Sequence, residues 1–155
     1  MKGFVKKFAL VALAVLLFSM LAGYACATTA FTSINTYTTG GSYTTVSKGI
    51  KKEDATPSAV LLNNSGFASQ YRVRIFGCGS NGENPLNCTY YNNSPANYVV
   101  CNTGKLYAVG NLVLERAYSY CDLSIMPLGG NGITTGEWST DSFTYKDHAV
   151  PESAG

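Results

Sequence analysis

Seven residues alternate strictly in Gln70-Tyr-Arg-Val-Arg-Ile-Phe76. Tyr71, Val73 and Ile75 share one face, and Arg72 and Arg74 share the other. A period of two belongs to a strand half-buried against a core. Other short runs are further strand candidates: the apolar Ala59-Val-Leu-Leu62, then Cys88-Thr-Tyr-Tyr91, Tyr98-Val-Val-Cys101 and Lys105-Leu-Tyr-Ala-Val109. Turn-forming residues punctuate them, as in Asn63-Asn64-Ser65-Gly66 and Gly129-Gly-Asn-Gly132. Residues 111–126 form the longest stretch without Gly or Pro after Ser58 and read as strand, with Pro127 ending it. Glu137 to Tyr145 closes the pattern with Trp138, Phe143 and Tyr145, and the tail from Lys146 onward reads as frayed. Short strands divided by regular turns, with no α/β alternation, predict an all-β fold: an antiparallel β-sandwich or Greek-key barrel.

Low charge supports this reading. Only 13% of residues are charged, so Thr, Ser, Asn, Gly and Tyr must supply the polar surface. β-branched and aromatic residues suit a pleated surface better than a helix.

The chain opens as an export signal would. Lys2, Lys6 and Lys7 precede the unbroken apolar run Phe8 to Phe18, and Ala25-Cys26-Ala27 offers small residues for cleavage. This predicts a cleavable signal helix over residues 1–27 and a secreted or cell-surface product. The apolar stretch is also long enough for an anchor. Lys2-Gly3-Phe4 resembles the processing site of type IV prepilins. Lys6 and Lys7, however, stand where an apolar stem should begin. Gly23-Tyr24-Ala25 before Cys26 departs from a lipoprotein pattern, because Tyr24 is large. Apart from this segment no contact with a membrane is expected.

Removing the signal reverses the charge. The chain has 11 Lys and Arg against 9 Asp and Glu, and losing the three signal lysines leaves 8 against 9. Lys48, Lys51 and Lys52 cluster, but Glu53 and Asp54 follow at once. A nucleic-acid partner is therefore not expected.

Export also decides the reading of the cysteines. Outside the reducing cytosol, Cys78, Cys88, Cys101 and Cys121 are expected to pair as two disulfides. Four cysteines allow three pairings. Spacing favours Cys78 with Cys88 and Cys101 with Cys121. A zinc site is disfavoured, since no Cys-x2-Cys is present and His148 is the one histidine. No metal or cofactor is expected.

Gly77-Cys-Gly-Ser-Asn-Gly82 matches a dinucleotide-loop spacing, but Pro85 blocks the helix that should follow, so a hairpin loop is expected. His148, beside Asp147 in the polar tail, is poorly placed for a catalytic triad. Glu115 and Glu137 form no distinctive acid pair, so no enzyme is expected. Glu137, Asp141 and Asp147 near the 129–132 loop match no Ca²⁺-loop pattern. Asn63, Asn87 and Asn92 fit the N-glycosylation acceptor pattern. Ten tyrosines besides Tyr24, together with Trp138, fill core positions or form a surface that stacks on sugars.

Residues 28–57 read as a Thr-rich extended arm and linker, ahead of a disulfide-stapled β-domain at 58–155. The arm forms an extended segment or two edge strands about Gly40-Gly41. Its candidate assembly residues are Phe31, Ile34, Tyr37, Tyr43 and Val46. In arm and domain order the layout resembles secreted filament subunits assembled by donor strands. That resemblance implies a structural or adhesive protein that self-associates by N-terminal strand addition. The second expectation is a secreted module that binds carbohydrate or protein through surface tyrosines, with Tyr90 and Tyr91 beside the Asn92-Asn93 loop as candidates.

Overall fold

The computed structural model describes residues 31–141 and the backbone of Glu152–Ser153. The expected signal helix with Cys26, and the tail with Asp147 and His148, lie outside the described residues. Every element in the described region is a strand. In chain order these are β1 (Thr32–Thr38), β2 (Thr44–Lys51), β3 (Ser58–Asn64), β4 (Ala68–Cys78), β5 (Leu86–Asn87), β6 (Tyr90–Tyr91), β7 (Ser94–Pro95), β8 (Val99–Asn102), β9 (Leu106–Val109), β10 (Tyr120–Gly129), β11 (Gly132–Ser139) and β12 (Glu152–Ser153).

The strands form two five-stranded sheets and a small hairpin. The first sheet has the order β1-β11-β3-β9-β12. The second has the order β2-β10-β4-β5, and β8 also pairs with β4. All pairings are antiparallel except β9 with β12. Ile34, Val60, Leu62, Val109 and Trp138 from the first sheet share one core with Tyr71, Val73, Ile75, Leu123 and Ile125 from the second. The architecture is thus sandwich-like, as the alternating pattern predicts.

The predicted strand over 70–76 is the centre of β4. Tyr71, Val73 and Ile75 are fully buried, while Arg72 and Arg74 point away from the core. The Thr-rich segment resolves into two edge strands rather than a free arm. β1 lies on β11 in unbroken register from Thr32↔Trp138 to Thr38↔Gly132. β2 lies on β10, with a register break between Cys121↔Ile50 and Leu123↔Ser47. Gly49 sits at this bulge with φ 61°.

Residues 112–119, expected to be strand, form turns instead. The amide of Arg116 donates to Leu112 O at 3.1 Å and that of Tyr118 to Val113 O at 3.0 Å. Ala117 takes a positive φ of 61°, and Val113 plugs the core as this turn closes. Pro127 does not end the strand either: it lies inside β10, opposite Tyr71. It is tolerated because the pairing of β10 with β2 stops at Ile125↔Thr44. Beyond that point one side of β10 is an edge, where proline has no ladder bond to lose.

The expected disulfides are absent: Cys78, Cys88, Cys101 and Cys121 are buried free thiols. The register explains why Cys101 and Cys121 do not pair. Cys101 on β8 lies opposite Tyr71, and Cys121 on β10 lies opposite Gly77, on the other side of β4. At about 3.3 Å per residue and about 4.8 Å per strand, their α-carbons are roughly 20 Å apart. A disulfide spans about 4.4–6.8 Å. Cys78 and Cys88 are separated by the pleat. The Cys88 sulfur sits 3.0 Å from where a Gly77 Cβ would lie, on the core side. Cys78, one residue on, faces the opposite way and donates its S–H to Asp122 Oδ1 at 3.1 Å. Burial pushes the Cys78, Cys101 and Cys121 thiols up to about 12. At Cys78 the neighbouring Asp122 adds to that effect.

Candidate functional site

The outer face of the second sheet carries a built cationic and aromatic surface. Strand alternation turns Arg72 and Arg74 outward from the same strand. Tyr43, just before β2, approaches from one flank, and Tyr98, just before β8, approaches from the other. The Arg74 guanidinium lies 3.7 Å from the Tyr43 ring centroid, and that of Arg72 lies 4.4 Å from the Tyr98 centroid. Both distances allow cation–π attraction, about 0.5–2 kcal/mol each depending on desolvation.

Arg74 is also fixed by its edge. Its Nε donates to Asn97 O and its Nη2 to Asn97 Oδ1, both at 2.9 Å. Arg72 lacks such a clamp: its Nε is buried and has no partner. The Tyr43 hydroxyl is likewise buried and unpartnered. Burial raises the pKa of that phenol, against the opposing charges of Arg74 and Arg72. Two guanidinium groups on one face, each stacked on a tyrosine ring, suit an anionic ligand.

A second feature is the β1 edge of the first sheet, which has no further strand beside it among the described residues. β1 contains no charge and no proline. Tyr37 is 63% exposed and its partner across the strands, Ile133, is 56% exposed. Of the other expected arm residues, Ile34 is buried in the core, Val46 packs against it, and Phe31 is half-buried. Tyr43 belongs to the arginine face.

The remaining sequence candidates do not converge. Tyr91 packs against the core, and Tyr90 lies over Gly110. Asn92 is exposed at the tip of the β6–β7 hairpin, where Asn92 and Asn93 both take positive φ as that tight turn requires. Asn63 is half-buried within β3. The Asn87 amide is committed internally: Nδ2 donates to Asn97 O at 2.9 Å, and Oδ1 accepts from the Thr89 hydroxyl at 2.7 Å. Glu115 is exposed on a turn, whereas Glu137 lies on β11. Among the described residues no group of His, Cys, Asp and Glu is placed to hold a metal. Residues 79–85 join β4 to β5 as a loop, with no helix after them.

The strand alternation already placed both arginines on one face; only the sheet order brings Tyr43 and Tyr98 to its flanks. No family model, curated protein or solved structure matches the chain.

Proposed function

We propose that this chain is a secreted or cell-surface structural β-domain that self-associates by strand addition at its N-terminal edge. The observation that carries the reading is the contrast between its two N-terminal edges. β2 is guarded by Lys48, Lys51 and a bulge, the usual defences of an exposed edge. β1 has none of them, pairs on one side alone among the described residues, and adds the exposed Tyr37–Ile133 pair. An edge of this kind is a template for a strand from a second copy.

The test is sedimentation velocity with electron microscopy on the secreted protein and on an Asn35→Lys/Tyr37→Lys variant. Multimers in the parent that vanish in a variant of unchanged far-ultraviolet circular dichroism support the reading. A parent that stays monomeric at every concentration overturns it.

The arginine–tyrosine face favours a second reading, a module for acidic glycans or proteins. The two arginines side by side on one face, with Tyr98 and Tyr43 at their flanks, support it. Titration with acidic oligosaccharides should give binding that Arg72→Ala abolishes. Equal binding by the variant removes this reading.

A further inference from the structure

At the opposite pole from the β10–β11 loop, an amine and a carboxyl meet out of reach of solvent. Lys52 follows β2, and Asp141 lies just past β11. Lys52 Nζ is 2.9 Å from Asp141 Oδ1, and their side chains are 0% and 1% exposed. The amine also donates to Thr56 O at 2.7 Å and Thr140 O at 2.6 Å. Asp141 accepts from the Glu53 amide at 3.1 Å, the Asp54 amide at 3.3 Å and the Thr140 hydroxyl at 3.0 Å. Asp54, whose amide is one of these donors, brings a second carboxyl beside the pair, where it accepts from the Thr56 amide at 2.8 Å. Amine and carboxyl are thus fixed together in a buried site, with the half-buried Asp54 at its rim.

We propose that Lys52 and Asp141 become joined by an intramolecular amide bond, with Asp54 carrying the proton. A proton passes from the Lys52 ammonium to the Asp141 carboxylate. The Nζ lone pair then attacks Asp141 Cγ. Asp54 takes a second proton from Nζ and delivers it to the departing oxygen. The Cγ–O bond breaks, the Nζ–Cγ bond remains, and one water leaves. Ammonium and carboxylate become amide and water, with no oxidant or reductant needed. Holding the two groups in contact supplies the effective concentration the step requires.

The hydrogen bonds still balance afterwards. One N–H remains on Nζ, enough for Thr56 O. Thr140 O keeps the hydroxyl of Ser58, which donates to it at 2.8 Å. The bond would tie the end of β2, in the second sheet, to the end of β11, in the first. This inference stands independently of the self-association reading.

The experiment is intact mass spectrometry of the reduced, unfolded protein, with peptide mapping after trypsin. The expected parent is lighter by one water, resists cleavage after Lys52, and yields a branched peptide joining the Lys52 and Asp141 segments. Lys52→Arg, and Asp54→Asn as a variant that spares both reacting groups, should regain the full mass. A parent at full mass, with linear peptides cut after Lys52, overturns the proposal whatever the variants do.

Discussion

The two ends of the sandwich hold its sheets together with different chemistry. At the end near the β10–β11 loop the link is neutral. The hydroxyls of Thr38 on β1 and Thr134 on β11 share a hydrogen bond of 2.8 Å, and Thr134 shares another of 3.0 Å with Tyr71 on the opposite sheet. Asn64 Nδ2 donates to the Tyr71 hydroxyl at 2.9 Å and to Ala68 O at 2.8 Å. At the other end the link is Lys52 with Asp141, two full charges with every donor of the amine in use. Neutral groups lose little on leaving water once they are paired. Charges lose several kcal/mol each and must be repaid in full by their partners. The neutral end can therefore lose one member and survive, whereas the ionic end acts as a unit.

The sharpest way to break this contrast is to remove one member from the ionic end. Lys52→Met leaves Asp141 buried without its cation and should cost about 3–5 kcal/mol, read from urea unfolding. The double variant Lys52→Met/Asp141→Leu then separates an ion pair from a crosslink. Loss of an ion pair alone leaves stability nearly unchanged. Loss of a bond closing a loop of roughly 90 residues costs about 4–5 kcal/mol.

The neutral end should respond more mildly. Thr134→Val removes the hydroxyl shared by Thr38 and Tyr71, and about 1–3 kcal/mol should be lost in the same assay. Tyr71→Phe should cost about 1 kcal/mol, because only hydrogen bonds are deleted and the ring stays packed.

The smallest expected effect concerns pH. Burial raises the Asp54 carboxyl, but hydrogen bonds from the Thr56 hydroxyl and amide, the contact with Asp141 and the Lys52 charge outweigh it and hold the pKa below 3.8. A folded-state pKa lower than the unfolded one contributes stability above the unfolded value. That stability is lost as pH falls through the folded value. The parent should therefore lose stability below about pH 4, and Asp54→Asn should flatten that acid limb. An unchanged acid limb would show that Asp54 is uninvolved.

Much of the fold was legible because strands advertise themselves by alternation. The 70–76 segment shows this in β4, while β3 is legible from its short apolar run at 59–62. Residues 112–119 were not legible, since Leu112, Val113 and Leu114 suit either a strand or a packed turn. Only closure over the core at Val113 decides between them. Pro127 misled for a similar reason. Proline marks an edge, and whether an interior strand has a local edge depends on where its neighbour stops.

The sequence by itself determined the class of structure, the outward pair Arg72 and Arg74, and the strand-forming character of the Thr-rich segment. These follow from propensity and from the period of two, which are local. The tertiary structure alone decided that Cys78 and Cys88 face opposite sides of a sheet and that Cys101 and Cys121 stand far apart. It alone placed Tyr43 and Tyr98 against the arginines, and set Lys52 beside Asp141 across 89 positions of chain. Those facts depend on sheet order and register, which arise only when distant strands compete to bury one common core.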